Sequence, residues 1–315
     1  MIKIDDFLKD VKSVGIAGHV RPDGDCVGSC MSVYNYIADN YPDVELHVYL
    51  ETIPSIFNFL KNTDKIEEAT DTPIPLDLFI CLDCRESQRL GKAGAYFDAA
   101  KKTLCIDHHL GNSSFADVEY IIPDDSSTCE LVYRTMDPKK ITKEIAECLY
   151  LGMIHDTGVF QYTCTTSDTM NVAGVLMDKG IDYSRIIDET YYQKTYAQNM
   201  ILAKALLKAK LYLNDKVIVS YITQEEMDEV GVKPRHLEGI VQQLRNTKGV
   251  EVAVFLYQTE DGGFKVSTRA TGDVDLTVLA KKFGGGGHAK AAGFSMHENV
   301  TSCINKIIQE LEQVL

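Results

Sequence analysis

Val14-Gly15-Ile16-Ala17 runs into His19-Val20-Arg21-Pro22-Asp23-Gly24-Asp25, and Val27, Met31, Tyr34 and Ile37 follow at three- and four-residue spacing. A short apolar run, a turn holding proline and glycine, and an amphipathic repeat read as strand, loop and helix. Open α/β sheets bind their ligands in loops that leave the carboxyl ends of parallel strands. This loop carries one imidazole and two carboxylates within seven residues. Pro22 and Gly24 shape the turn so that Asp23 and Asp25 can both point inward. The competing reading is a helix N-cap aspartate beside an unrelated surface histidine.

Outward from this stretch the alternation continues. Residues 45–50, 77–82, 103–106 and 119–122 are further short apolar runs, and helical patterns cover 25–41, the stretch after Ser126-Ser127-Thr128, and 141–155. The pattern predicts an α/β fold whose first domain is built on a mostly parallel sheet. Met200, Leu202, Leu206 and Leu207 mark a long amphipathic helix between the two halves. We expect a catalytic domain over 1–185, a linker helix over 186–210 and a smaller α/β domain over 211–315. The second domain should hold a strand at 217–222, a helix at 235–244 and a hairpin of 251–257 with 264–268 turned by Asp261-Gly262-Gly263. A helix at 276–282, a glycine run and a terminal helix from Ser302 complete it.

With 315 residues, 45% hydrophobic and 25% charged, the chain matches ordinary globular composition, which removes support for disordered or collagenous readings. A net charge of −14 argues against holding long nucleic acid in a general electrostatic field. Any phosphate substrate must then meet a local cation cluster or metal ions. Nine scattered cysteines fit reduced thiols packed as small core residues. Cys81 and Cys84 form a C-x-x-C pair, but Cys81 falls inside a strand and no second pair accompanies it, so packing is the expected role. No basic-then-apolar leader and no apolar run of ~18 residues is seen, and a cytoplasmic protein is expected.

Further ionisable residues sit at the other element ends. Asp83 ends the run 78–82, Asp107-His108-His109 follows 103–106, and Asp156 closes the helical stretch 141–155. A carboxylate at a buried strand end is costly without a partner or a metal. At a helix C-terminus it also faces the negative end of the dipole. His155 is read as a core or capping residue. His19, Asp23, Asp25, Asp83, His108 and Asp156 thus form one candidate constellation. Mixed carboxylate and imidazole donors without thiolate suit manganese, magnesium, iron or cobalt better than structural zinc. One carboxylate between two cations would make a two-metal site.

These residues, in this order, resemble the DHH phosphoesterase superfamily, whose motifs are similar to His19 to Asp25, Asp83, Asp107-His108-His109 and Asp156-Thr157-Gly158. Gly284-Gly285-Gly286-Gly287-His288 with Ala291-Ala292-Gly293 resembles the DHH-associated C-terminal domain. The resemblance implies two divalent ions, manganese first and magnesium or cobalt as alternatives. One would be held by His19, Asp23 and Asp83, the other by Asp25, Asp83, His108 and Asp156. It also implies catalytic roles for His109, Asp107 and Arg269. Phosphate binding would fall to a glycine-rich loop, Gly285, Gly286 and Gly287, with His288 and Arg269. The span 264–293 holds Lys265, Arg269, Lys281, Lys282 and Lys290 against Asp273 and Asp275, a local cation cluster in an acidic chain.

Length and layout look most like the nanoRNase and pAp-phosphatase group, which hydrolyses very short oligoribonucleotides and dephosphorylates pAp. The alternatives are a pApA or cyclic-dinucleotide phosphodiesterase, an inorganic pyrophosphatase and a non-catalytic nucleotide-binding regulator. Expected partners are short RNA oligonucleotides and nucleotide phosphates, and a second copy of the chain in a homodimer. Neither long duplex nucleic acid nor a membrane is expected.

Overall fold

The computed structural model describes residues 2–315 except Leu110, Asn112 and Asp124. The chain forms two compact units, Met1–Gln193 and Lys194–Leu315. No helix among the described residues is long and apolar enough to cross a membrane.

In the first unit β1 (Ser13–Ala17), β2 (Glu45–Tyr49), β3 (Ile66–Glu67), β4 (Leu78–Leu82), β5 (Thr103–Asp107) and β6 (Val118–Ile121) form one parallel sheet. Its order is β3-β2-β1-β4-β5-β6. β4 and β5 are buried along their whole length, which is why both read as continuous apolar runs. The order reverses between β1 and β4, and at such a reversal the loops after the strands diverge and leave a crevice. Ala17 pairs with Cys81 across that boundary, so the loops carrying His19 and Asp83 leave the sheet side by side.

The helices of this unit are α1 (Ile4–Phe7), α2 (Gly24–Asn40), α3 (Gly94–Ala99), α4 (Thr128–Thr135), α5 (Lys143–Asp156), α6 (Ser167–Met177) and α7 (Tyr183–Ile187). α2 and α5 meet through glycines. A Cβ on Gly28 would lie 2.5 Å from the Cys148 carbonyl oxygen, and one on Gly152 3.0 Å from Asp25 Cα. This close packing holds the first turn of α2, which carries Asp25, against α5.

The second unit comprises α8 (Tyr196–Lys208), β7 (Lys210–Tyr212), β8 (Val217–Ile222), α9 (Gln224–Val230), α10 (Ile240–Arg245), β9 (Val252–Gln258), β10 (Phe264–Ala270), α11 (Leu276–Lys282), β11 (Gly286–His288), β12 (Ala291–Met296) and α12 (Val300–Leu311). Its mixed sheet has the order β11-β12-β10-β9-β8-β7, in which β8 and β9 run parallel and the other pairs antiparallel.

Three expectations change. The helical pattern over 186–210 is not one element: a π-helical segment Asp188–Tyr192 ends before extended Gln193, and α8 starts anew with a capping box from Thr195 and Gln198. Ile201 and Ala205 of α8 are buried with Ile218, Ile222 and Leu244, so this helix belongs to the core of the second unit. The helix read at 235–244 is split by Gly239, whose φ of +85° separates the turn Pro234–Leu237 from α10. The glycine run, read as a loop, contains the edge strand β11. A Cβ on Gly285 would lie 2.2 Å from the Gly293 carbonyl oxygen, so the backbone approaches β12 more closely than a side chain allows.

Candidate active site

Four chain segments converge at the carboxyl end of the first sheet. Asp83 stands at the centre, 2% exposed and with a φ of +56°. Its Oδ2 lies 3.4 Å from His19 Nε2, while Oδ1 lies 3.8 Å from His108 Nε2 and 3.6 Å from His109 Nδ1. The two oxygens of one buried carboxylate therefore face different imidazoles. His108 Nε2 is also 3.0 Å from Asp156 Oδ2 and 3.9 Å from Asp25 Oδ2.

The histidine tautomers follow from their backbone partners. His19 Nδ1 donates to the Val20 carbonyl at 2.9 Å and His108 Nδ1 to the Asp125 carbonyl at 3.0 Å, which leaves each Nε2 as the ring atom that faces the site. His109 Nδ1 donates to Asp107 Oδ1 at 2.7 Å, so a fully buried carboxylate orients that ring.

Residues 13–153 match the DHH family, N-terminal domain, and residues 214–315 match the DHHA1 domain. The chain belongs to the DHH family. Among its relatives are bifunctional oligoribonuclease and PAP phosphatase NrnA proteins. That of Bacillus subtilis is 27% identical over 89% of this chain and 88% of the relative; that of Thermus thermophilus is 26% identical over 92% and 86%. An exopolyphosphatase-related protein from Bacteroides fragilis has a similar fold, with a TM-score of 0.89 and 25% identity over 98% of this chain and 94% of that one. This DHH-family chain is accordingly an NrnA-like hydrolase of the phosphoesterase kind, in a family that depends on metal.

The donor set fits metal ions. Three groups have ligand atoms within 4.8 Å of one another among the described residues: His19, Cys26 and Asp83; Asp83, His108 and His109; Asp25, His108 and Asp156. Asp83 is common to the first two and His108 to the last two, so the groups form one continuous site. Asp23 stands outside these groups. It caps α2 by accepting from the Cys26 amide at 3.2 Å, with its Oδ1 3.7 Å from His19 Nε2, so the capping reading holds and the residue stands beside the cluster. His155 lies outside the cluster, with Nε2 3.1 Å from Thr190 Oγ1 and its ring edge-on to Phe57 and Tyr191.

Crowded carboxylates shift the protonation of the whole cluster. Burial and the nearby Asp83 and Asp156 push Asp25 well above the carboxylate range. Burial opposes a charged His19, but Asp23 and Asp83 outweigh it and raise the ring to about 12. The same contest at His108, with Asp156 and Asp25 prevailing, gives about 11. At neutral pH both rings hold protons that an arriving cation has to displace. Manganese affinity should therefore rise steadily with pH through the neutral range and beyond, with proton release that stays nearly constant between about pH 6 and pH 8. Calorimetry in buffers of different ionisation enthalpy measures both, and a pH-independent affinity would contradict this protonation scheme.

α4 supplies supports that sequence reading did not single out. Asp25, wholly buried, accepts from the amides of Thr128 at 2.7 Å and Cys129 at 2.9 Å, the first residues of that helix. Thr128 Oγ1 also donates to Asp83 Oδ1 at 3.0 Å. Arg134 pairs with Asp125 and Glu130, steadying the segment whose carbonyl orients His108. The available signal was Ser126-Ser127-Thr128, more hydroxyls than one helix cap needs: Ser127 alone accepts from the Glu130 amide. Thr128→Val should lower metal affinity ~10–100-fold while Thr128→Ser retains most of it, as a metal titration of both would show.

In the second unit, His288 is exposed on β11 and Arg269 lies at the far end of β10 from Lys265, with its Nη1 donating to the Thr268 carbonyl at 3.0 Å. Not all of the expected cation cluster faces solvent unpaired. Lys282 pairs with Glu310, and Lys290 donates to the Gly272 and Val274 carbonyls.

Proposed function

We propose that this chain hydrolyses very short oligoribonucleotides to mononucleotides and removes the 3′-phosphate of pAp to give AMP. The observation that carries this reading is the match to bifunctional oligoribonuclease and PAP phosphatase relatives along nearly their whole length. The convergence on Asp83 supports it, because a relative reduced to nucleotide binding has no need for a buried carboxylate shared between histidines.

We assign His19, Asp23 and Asp83 to one divalent ion and Asp25, Asp83, His108 and Asp156 to a second, with manganese first. When bound, such ions supply Lewis-acid charge that lowers the pKa of water and neutralises phosphate oxygens. The side chains do the rest. Asp107 fixes the Nδ1 proton of His109 and thereby directs Nε2 outward, to donate to a non-bridging oxygen of the scissile phosphate. Their hydrogen bond, working against burial, raises the His109 pKa and favours the donor form. Arg269 and His288, with the amides of Gly285, Gly286 and Gly287, bind substrate phosphate.

A second reading has a specific support: a cyclic-di-AMP phosphodiesterase, GdpP of Geobacillus thermodenitrificans, is 24% identical over 93% of this chain and 46% of that protein. A side-by-side assay in manganese separates the two, using 5′-phosphorylated RNAs from two to about twenty nucleotides, pAp, pApA, cyclic di-AMP and pyrophosphate. Preference for the shortest RNAs together with pAp is expected. Dominant turnover of cyclic di-AMP, pApA or pyrophosphate would overturn the proposal.

A further inference from the structure

The donor set read from the sequence contains no thiol, yet the fold places one inside the site. Cys26 is the third residue of α2 and fully buried. Its Sγ, a ring nitrogen of His19 and a carboxylate oxygen of Asp83 lie within 4.8 Å of one another. Room for the sulfur comes from Gly18, since a Cβ there would lie 2.3 Å from Cys26 Sγ. The thiol is directed toward the His19 carbonyl oxygen at 3.8 Å, a long and weak contact that a metal–sulfur bond would readily replace.

We propose that His19, Cys26 and Asp83 form a binding site for a soft or borderline divalent cation of the zinc and cadmium class, which inhibits hydrolysis by claiming two of the groups assigned to the activating ion. One imidazole, one thiolate and one carboxylate with a fourth position open is a donor set for tetrahedral zinc, whereas manganese and magnesium prefer oxygen donors. A tetrahedral ion with bonds of ~2.0–2.3 Å needs ligand atoms somewhat under ~4 Å apart, so small side-chain movements close the cluster. On binding, the sulfur–metal bond forms as the S–H bond breaks and the nitrogen–metal bond forms as His19 gives up its Nε2 proton, and both protons leave to solvent. The inhibitory half rests on the phosphoesterase reading above; the binding half does not.

The test starts with the full chain freed of metal by chelation and titrated with cadmium, reading the sulfur-to-cadmium charge-transfer absorption. One equivalent of band is expected in the wild type, lost in Cys26→Ala and in the near-isosteric Cys26→Ser, and kept in Cys30→Ala and Cys84→Ala, which control for the neighbouring thiol and for a second buried one. Absence of the band in the wild type, or its survival at full amplitude in a folded Cys26→Ser protein, would overturn the site. Zinc inhibition is then measured in manganese, each variant against its own uninhibited rate on the substrate it turns over best. The zinc concentration for half-inhibition should rise at least ~10-fold in Cys26→Ser. An unchanged value would overturn the inhibitory role, while failure to hydrolyse short RNA in any condition would count against the substrate assignment alone.

Discussion

Asparagine in place of Asp83 is expected to lower kcat/KM in manganese by on the order of 10³-fold or more, because several kcal/mol of charge stabilisation are lost at the centre of the site. The fold should survive. The amide side chain keeps the shape of the carboxylate and an oxygen that can accept from Thr128 Oγ1, now 3.0 Å from Asp83 Oδ1. Removing the charge also relieves the repulsion that helps push Asp25 and Asp156 upward. Losing the charge also weakens the attraction that Asp83 exerts on the protonated rings of His19 and His108, so the two effects oppose and the metal-free variant should melt close to the metal-free wild type. The gain in melting temperature on adding manganese, which reports binding to the native state, should shrink or vanish. Near-wild-type activity would remove Asp83 from its proposed place between two ions.

Alanine at Gly152 is expected to damage stability and activity together. Its Cβ would lie 2.2 Å from Cys129 Sγ, 2.6 Å from Asp25 Oδ1 and 3.0 Å from Asp25 Cα. Neither α5 nor the first turn of α2 can yield without moving a carboxylate already held by two amides of α4. Overpacking of this kind costs about 1–3 kcal/mol, or about 2–10 °C in Tm for a unit of this size. Displacement of Asp25 should take metal affinity down as well. Gly174 in α6 is the control: nothing lies within 4 Å of where its Cβ would stand and its φ is not positive, so Gly174→Ala should stabilise by about 0.5–1 kcal/mol and leave catalysis alone. Equal melting temperatures for the wild type and Gly152→Ala would show that the α2–α5 contact is looser than its geometry.

The candidate site was legible wherever an ionisable residue stood at the end of an apolar run. His19, Asp83 and the triplet Asp107-His108-His109 all do so, and packing offers no cheap explanation for a charge at a buried strand end. Asp156 was legible for the matching reason at a helix end. The helix over 235–244 failed because Gly239 carries no sign in the sequence of whether its freedom is used, and the fold uses it at φ +85°. The glycine run failed similarly: flexibility suggested a loop, while the close approach of Gly285 to Gly293 required an edge strand. Lys282 and Lys290 belong to the local cation cluster read from residue counts, and the fold engages them with Glu310 and with the carbonyls of Gly272 and Val274.

By itself the sequence determined the alternation of strands and helices and the chemical kinds of donor at their ends, because periodicity and residue type are local properties. Tertiary structure alone decided which donors meet and how they face one another. Thr128 reaches Asp83 across 45 positions and Asp25 across 103, and Cys26 enters the site because Gly18 leaves room beneath His19. Such contacts are set by strand order, by the reversal between β1 and β4 and by glycine-sized gaps between helices, and none of these leaves a repeat or a spacing along the chain.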